Sequence, residues 1–329
     1  MPESAASTQK TAIRHEFAEV NGVRLHYASA GAGRLILFLH GFPEFWYAWK
    51  NQLAHFGRDF FAVAPDQRGY NRSSKPVEVH SYEVKFLVED VRALARHLGH
   101  ERFILVGHDW GGVVAWAFAA QYPQNLEKLV IINAPHPAIF ARLLRENPVQ
   151  QQASQYMLMF RSPQAEQILS ANNYSFLAEK VMGFKHERFA ALFNEEDRKT
   201  YLQAWSQPGA LTGGLNYYRA ALVGPPVDGF AVTHEVDGFA VTRTIDPESI
   251  GAVTRKSDQF TSFTIAVPTL VIWGEKDLAL PPCNLDGLGE FVLDLHIRRI
   301  ADGTHWLIHE RPAIVNSLLR DFIQNSPDG

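Results

Sequence analysis

A strand-to-helix turn around residue 109 constrains the fold more than any other feature of the sequence. The apolar run at 103–106 predicts a buried strand, and residues 112–120 predict the helix that follows it. In the turn between them, Gly107 and Gly111 stand two residues before and two residues after Asp109. Glycines at these positions suit a tight turn that holds the central side chain in a strained, exposed position. The stretch therefore predicts an α/β protein with a reactive group at Asp109.

The identity of residue 109 decides which chemistry is expected. In serine hydrolases built on such a turn, the central residue is a serine whose oxygen attacks a carbonyl and becomes acylated. A carboxylate that attacks saturated carbon becomes an alkyl ester instead, and the carbonyl carbon of that ester belongs to the enzyme. Asp109 therefore predicts displacement at an sp³ carbon, followed by hydrolysis of the ester.

Strands and helices alternate along the chain on both sides of this turn. Apolar runs at 35–39, 60–64, 128–132 and 269–272 predict further buried strands. Strands that are apolar throughout are typical of parallel sheets, whose two faces are both covered. We therefore predict an α/β fold, the α/β-hydrolase fold, with a mostly parallel sheet covered by helices.

Local signals predict where individual elements begin and end. Asn21-Gly22, between two strand-like runs, predicts a hairpin. Ser81 is expected to cap a helix that Gly99 ends. A last amphipathic helix is expected to begin at Pro312. The residues that this helix is expected to bury are Ile314, Val315, Leu318, Leu319 and Phe322.

The strand pattern stops in the second third of the chain, where the composition is mainly helical. We therefore predict a core domain of residues 1–137 and 265–329, with an inserted cap (lid) domain at 138–264. The cap includes a longer flap at about 224–262, which carries the sequence Val-Asp-Gly-Phe-Ala-Val-Thr twice, at 227–233 and 236–242. We interpret the duplication as a small hairpin or an extended flap. Substrates of such arrangements usually bind beneath the lobe, at the carboxyl ends of the strands.

Composition excludes several classes of function. Of the 329 residues, 46% are hydrophobic and 20% are charged, with a net charge of −4, and Lys and Arg form no dense block. Neither nucleic acid nor an anionic membrane is therefore an expected partner. Cys283 is the only cysteine, which excludes an internal disulfide and fits a reducing compartment. With neither a signal peptide nor a membrane-length apolar run, we expect a cytoplasmic protein. For its assembly we leave two alternatives, a monomer or a homodimer.

Hydrolysis of an ester on Asp109 requires a base to activate water. His305 follows the last predicted strand in a loop, whereas His309 is expected in or near a helix and is the weaker candidate. Asp277 follows the strand at 269–272 and is expected to orient the histidine, with Glu275 as the fallback. The order nucleophile, acid, histidine is that of the α/β-hydrolase fold.

The tetrahedral intermediate formed on the ester requires N–H donors. The residue after the nucleophile, Trp110, can donate its backbone N–H. Phe42, in the loop after the strand at 35–39, is placed to donate a second backbone N–H. We expect the side chains of both residues to line an apolar pocket.

Several motifs together resemble the α/β-hydrolase-fold epoxide hydrolases. They are His40-Gly41-Phe42-Pro43-Glu44, Gly107-His108-Asp109-Trp110-Gly111-Gly112, Asn133-Ala134-Pro135-His136-Pro137, Leu215-Asn216-Tyr217-Tyr218-Arg219 and Gly303-Thr304-His305-Trp306. The resemblance implies that Tyr218, not Tyr217, polarises the epoxide oxygen together with Tyr156. It also implies a small-molecule epoxide and water as substrates, with neither metal nor cofactor. The residues expected to contact substrate are Phe42, Trp110, His136 and Trp306.

Two other functions are compatible with parts of this pattern. Haloalkane and haloacetate dehalogenases use the same Asp-His-Asp triad, but a departing halide needs no proton, whereas an epoxide oxygen does. Phe42 has no side-chain donor for a halide, and residue 110 is Trp where a haloacetate enzyme usually has Arg. A non-catalytic binding protein would be marked by a missing catalytic residue, and none is missing. We expect an epoxide hydrolase, with dehalogenation as the alternative.

Overall fold

An eight-stranded sheet forms the centre of the computed structural model, which describes residues 12–190, 192–226, 231–236, 239–244 and 264–324. The strand order is β1-β2-β4-β3-β5-β6-β9-β10. Within this eight-stranded sheet, only the pairs β1–β2 and β2–β4 are antiparallel. The strands are β1 (Arg14–Val20), β2 (Val23–Ala30), β3 (Leu35–Leu39), β4 (Phe61–Pro65), β5 (Phe103–His108), β6 (Leu126–Ile132), β7 (Ala231–Val236), β8 (Phe239–Thr244), β9 (Thr269–Gly274) and β10 (Leu295–Ile300).

Helices cover both faces of this sheet. Strands β3, β5 and β9 are buried along their whole length, and apolar clusters fill the space between the sheet and the helices on each face. The predicted α/β-hydrolase fold with a mostly parallel sheet is therefore confirmed. The helices are α1 (Lys50–Phe56), α2 (Val84–His97), α3 (Trp110–Gln121), α4 (Pro137–Glu146), α5 (Pro148–Ala153), α6 (Tyr156–Arg161), α7 (Ala165–Phe176), α8 (Glu187–Ala190), α9 (Glu195–Trp205), α10 (Ala210–Ala221), α11 (Leu307–Glu310) and α12 (Pro312–Gln324).

The helices α4 to α10 form the cap, which is inserted between β6 and β9. It is anchored to the loops that follow the core strands. Tyr201 donates its hydroxyl to Glu44 at 2.9 Å, and the indole N–H of Trp205 donates to the carbonyl of Pro43 at 2.7 Å. Both acceptors lie in the loop after β3, so the cap covers the carboxyl ends of the strands.

The predicted flap at about 224–262 lies largely outside the described residues. Within it, β7 and β8 pair antiparallel, with Val236 opposite Phe239, and these strands overlap the two copies of the duplicated sequence. The boundaries at 137/138 and 264/265 stay predictions.

The boundary signals had different outcomes. The hairpin at Asn21-Gly22 is confirmed, with φ of 48° and 74° at the two residues, and so is the end of α2 at Gly99, whose φ is 83°. The helix start at Ser81 is wrong, because Ser81 lies in the 3₁₀ turn Val79–Tyr82 and α2 begins at Val84. The last helix begins at Pro312 as predicted.

Two features are not found in the part of the chain that the structure describes. None of the helices there is long and apolar enough to cross a membrane. Across the same residues, no group of three or more His, Cys, Asp or Glu side chains is placed to hold a metal ion.

Candidate active site

Asp109 occupies the turn between β5 and α3, at the carboxyl edge of the sheet. Its φ of 51° and ψ of −123° are strained for a residue with a side chain. Two glycines allow this turn, because a Cβ on Gly107 would lie 2.4 Å from the carbonyl oxygen of Gly111, and a Cβ on Gly111 would lie 2.2 Å from that of Leu39. The local sequence therefore presents the Asp109 carboxylate beneath the cap.

The loop after β3 approaches this carboxylate closely. The backbone N–H of Phe42 donates to Asp109 Oδ1 at 2.7 Å. A Cβ on Gly41 would lie 2.2 Å from the same oxygen, so only glycine permits the approach. Trp110 is the first residue of α3, and N–H groups in a first helical turn have no partner within the helix. The residues predicted to form the oxyanion hole thus lie at the carboxylate that they would serve.

His305 lies between two carboxylates. Its Nδ1 is 2.7 Å from Asp277 Oδ2, and its Nε2 is 3.8 Å from Asp109 Oδ2. With Nδ1–H donated to Asp277, the neutral ring presents an Nε2 lone pair towards Asp109, which is the tautomer that a general base requires. The structure therefore brings together the three residues that the sequence predicted as a triad.

Asp277 is held by more groups than the sequence predicted. Its Oδ1 accepts the N–H groups of Ala279 and Leu280, each at 2.9 Å. Its Oδ2 also accepts an N–H of the Asn133 side chain at 2.8 Å, while Asn133 Oδ1 accepts the N–H of Gly274 at 3.0 Å. Asn133 thus links the ends of β6 and β9 and orients the acid. Its place directly after a buried strand, at the start of the motif at 133–137, was the sequence signal for this role.

The fallback acid Glu275 lies elsewhere. It forms an ion pair with Arg299 at 2.8 Å, on the neighbouring strand β10. His309, the weaker candidate for the base, donates to Glu44 at 2.5 Å and is not paired with Asp109. Neither fallback residue has the contacts that a triad member needs.

The charges around His305 control its protonation. Burial lowers the pKa of His305, but the nearby carboxylates of Asp277, Asp109 and Glu44 outweigh burial and raise it to about 9. The imidazole is therefore cationic at neutral pH while Asp109 carries its charge. Loss of the Asp109 charge would lower this pKa and favour the neutral base.

Two cap tyrosines, Tyr218 and Tyr156, lie close to Asp109. Tyr218 is 3% exposed, and its ring packs on Trp110 at 5.1 Å and on Phe42 at 5.6 Å between centroids. Tyr156, at the start of α6, lies 6.4 Å from Tyr218 between ring centroids. Burial and the charge of Asp109 raise the pKa of both phenols well above the usual range, so both remain protonated donors.

The neighbouring tyrosine, Tyr217, points in another direction. Its hydroxyl donates to the backbone carbonyl of Arg68 at 3.0 Å, which anchors α10 to the loop after β4. Consecutive helical residues point about 100° apart. Tyr217 is therefore an anchoring residue, and the role of Tyr218 at the epoxide oxygen, which the resemblance implied, stays a prediction.

Comparison with known proteins assigns the chain to a family. The family described as the alpha/beta hydrolase fold matches residues 34–312. The chain is also 32% identical to epoxide hydrolase 4 of Homo sapiens over 313 residues, which are 92% of this chain and 76% of that protein. The chain is a member of the α/β-hydrolase-fold epoxide hydrolase family.

Two bacterial proteins are more similar to this chain than the human protein is. The chain is 37% identical to the AB hydrolase superfamily protein YfhM of Bacillus subtilis, over 95% of this chain and 99% of that protein. Its structure is similar to that of a Bacillus megaterium epoxide hydrolase in complex with an inhibitor. That likeness has a TM-score of 0.81 and 35% identity, and it covers 94% of this chain and all of the other.

His136 and Trp306, which were predicted to contact substrate, pack against other side chains in the structure. His136 is 1% exposed and stacks on Phe291 at 4.6 Å, and burial lowers its pKa to about 4. Trp306 packs edge-on against His305 at 4.9 Å, and its indole N–H donates to the cap carbonyl of Val181 at 3.1 Å. Contact of His136 and Trp306 with substrate stays a prediction.

A buried network of Glu44, His108 and His309 lies next to His305. The sequence analysis predicted no role for Glu44 or His108. Glu44 has His309 Nε2 at 2.5 Å and His108 Nδ1 at 3.5 Å, and His108 donates Nε2–H to the carbonyl of His305 at 2.8 Å. Burial raises the pKa of Glu44, but the two histidines outweigh burial and hold it well below the usual range. The network places a fixed negative charge behind His305. Glu44 and His108 belong to the motifs at 40–44 and 107–112, and this membership was the sequence signal that they matter to the site.

The acid can be tested by paired substitutions. Asp277→Asn should slow hydrolysis of the Asp109 ester by about a hundredfold or more, because the imidazolium loses its counter-charge and its fixed tautomer. Glu275→Gln should stay near wild-type activity, because Glu275 pairs with Arg299 on the surface. Single-turnover diol formation measures both. A larger loss in Glu275→Gln would contradict the assignment.

Proposed function

We propose that the chain hydrolyses epoxides to vicinal diols through an ester on Asp109. One observation carries the proposal most directly. Two protonated tyrosines, Tyr156 and Tyr218, lie close to a carboxylate at the nucleophile position, so the site pairs a nucleophile that attacks carbon with proton donors for a leaving oxygen. Membership of the epoxide hydrolase family supports the same reaction.

In the first step, Asp109 Oδ2 attacks an epoxide carbon and the C–O bond of the ring breaks. The epoxide oxygen carries the electron pair away and takes a proton from Tyr156 or Tyr218. Tyr218 is buried and Tyr156 is partly buried, both near the negative charge of Asp109, which keeps the phenols protonated until the more basic alkoxide develops. The product of this step is a hydroxyalkyl ester and a tyrosinate.

In the second step, a water molecule loses a proton to His305 Nε2 and attacks the Asp109 carbonyl carbon. The oxyanion develops on Oδ1, where the Phe42 N–H already donates at 2.7 Å, and Trp110 supplies the second N–H. Esterification has removed the Asp109 charge, so the pKa of His305 falls and the ring can act as the base. Collapse breaks the bond between the Asp109 carbonyl carbon and the substrate oxygen, which takes the proton from His305 to complete the diol. The second proton of the water passes from the Asp109 carboxyl group to the tyrosinate.

Finer features of the enzyme belong to the same proposal. Phe42, Trp110, His136 and Trp306 would line an apolar pocket for a small-molecule epoxide, with neither cofactor nor metal. The cap would comprise residues 138–264 and the core 1–137 and 265–329. A cytoplasmic location would fit the single thiol of Cys283, and the protein would be a monomer or a homodimer.

Substrate choice tests this function against dehalogenation. The wild type should convert a small aryl epoxide to its diol, because the tyrosines protonate the leaving oxygen. A terminal chloroalkane of similar size should release no chloride. In ¹⁸O water, a single turnover should place the label in the Asp109 carboxylate, measured by peptide mass. Chloride release without diol formation would move the chain to the dehalogenases, and label found only in the diol would favour direct attack by water.

A further inference from the structure

The loop that carries His305 is held by a buried carboxylate on the next helix. Glu310, at the end of α11, has a side chain that is 2% exposed. Its Oε2 accepts the backbone N–H of Thr304 at 2.8 Å and the Thr304 hydroxyl at 3.0 Å. Thr304 directly precedes His305, so Glu310 fixes the backbone from which the imidazole extends.

The charge of Glu310 is balanced from the cap. Arg188, in α8, places Nε 2.5 Å from Glu310 Oε1, the oxygen that does not contact Thr304. A carboxylate that is nearly fully buried is costly unless it is paired and hydrogen-bonded. Arg188 therefore stabilises the charged Glu310 that the Thr304 contacts require.

Arg188 also contacts the loop directly. Its Nη2 donates to the backbone carbonyl of Asp302. A second cap contact lies on the other side of the histidine, where Trp306 donates its indole N–H to Val181. The cap segment from Val181 to Arg188 therefore holds the catalytic loop both before and after His305.

We propose that Arg188 is a positioning residue for the hydrolytic half of the reaction. Through Glu310 and Asp302, it keeps the loop of residues 301–304 where His305 can serve the Asp109 ester. Arg188 has no role in ring opening, which needs Asp109 and the cap tyrosines. The inference rests on the proposed two-step function and names a further residue in it.

The test separates the two half-reactions. Enzyme in excess over an aryl epoxide is quenched at intervals, and intact mass gives the alkylated fraction while product analysis gives the diol. Arg188→Gln should lower the rate of ester hydrolysis about tenfold or more, since small displacements of a catalytic group are costly. The rate of alkylation should stay within about twofold of wild type. Alkylated enzyme should therefore accumulate during turnover.

Matched variants control for general effects of the cap. Lys185→Gln removes a cation from the same cap segment, where Lys185 pairs with Glu179 and is largely exposed, and it should leave both rates unchanged. Arg188→Lys keeps a cation for Glu310 but lacks a second N–H group for the Asp302 carbonyl. Its rate of ester hydrolysis should therefore lie between those of wild type and Arg188→Gln. Arg188→Lys also supplies the measurement if Arg188→Gln does not fold.

The outcomes distinguish this proposal from the function on which it rests. Equal slowing of alkylation and hydrolysis in the Arg188 variants would mean that Arg188 only holds the cap in place, and would overturn the proposal. Unchanged rates would overturn it as well. A His305→Gln sample in the same series should trap the ester. If it does, the two-step function stands whatever the Arg188 variants do, and if it does not, both proposals fail.

Discussion

His305→Gln is expected to abolish diol turnover while leaving the enzyme alkylated. In the proposed mechanism, ring opening needs the Asp109 carboxylate and the tyrosine hydroxyls, and neither depends on a base. Hydrolysis of the ester needs a base within reach of water at Asp109, and His305 Nε2 is 3.8 Å from Oδ2. Loss of a general base costs ~10²-fold or more. Intact-mass spectrometry should show the enzyme heavier by the mass of one epoxide.

Asp109→Asn is the control for this result. A neutral amide is a poor nucleophile towards an epoxide carbon, so this variant should neither gain mass nor form diol. An unmodified His305→Gln enzyme, under conditions in which wild type turns over, would count against the covalent scheme. Mass gain in Asp109→Asn would place the nucleophile at another residue.

The double change Tyr156→Phe with Tyr218→Phe is expected to remove nearly all epoxide opening. A hydrogen bond to developing charge contributes roughly 1.5–3 kcal/mol, which is about tenfold to a hundredfold in rate for each hydroxyl. The two hydroxyls act on one oxygen, so either single change should retain part of the rate and the double change almost none. The rate of alkylation in a single turnover measures the effect.

Tyr217→Phe is the matched control for the tyrosine variants. Tyr217 lies next to Tyr218 in α10, but its hydroxyl bonds to the Arg68 carbonyl rather than to a group at the site. Loss of the Tyr217 hydroxyl should lower the temperature of unfolding and leave the rate of alkylation near that of wild type. Alkylation that survives in the Tyr156/Tyr218 double variant would show that the leaving group needs no acid. Chloride release from a chloroalkane in that variant would then identify a dehalogenase.

The sequence predicted correctly those turns and strands whose conformation depends on residues adjacent in the chain. Asn21 and Gly22 adopt positive φ in the hairpin, because Asn and Gly tolerate this conformation better than other residues. The turn at Asp109 followed from its flanking glycines, whose replacement by any larger residue would produce contacts near 2 Å. Apolar runs predicted the buried strands because both faces of a parallel sheet are covered.

Packing decided the details in which the sequence prediction was wrong. In the last helix, Ile314 was expected to be buried but is 42% exposed, whereas Asn316 is 7% exposed and accepts a hydrogen bond from Gln52 at 3.1 Å. Leu318 and Phe322 are only partly buried. Ser81 does not cap α2, and its carbonyl instead accepts a bond from Arg68 at 2.8 Å. Helical periodicity cannot identify partners that are distant in sequence.

By itself, the sequence determined the fold class and predicted the nucleophile and the order of the triad, because each depends on short motifs placed directly after buried strands. Only the tertiary structure decided which distant groups support the triad. Asn133 reaches Asp277 across 144 positions of the sequence, and Arg188 reaches Glu310 across 122. Such pairs leave no local pattern, since each partner by itself resembles an ordinary loop or helix residue. Their contribution arises when the sheet aligns the strand ends and the cap packs over them.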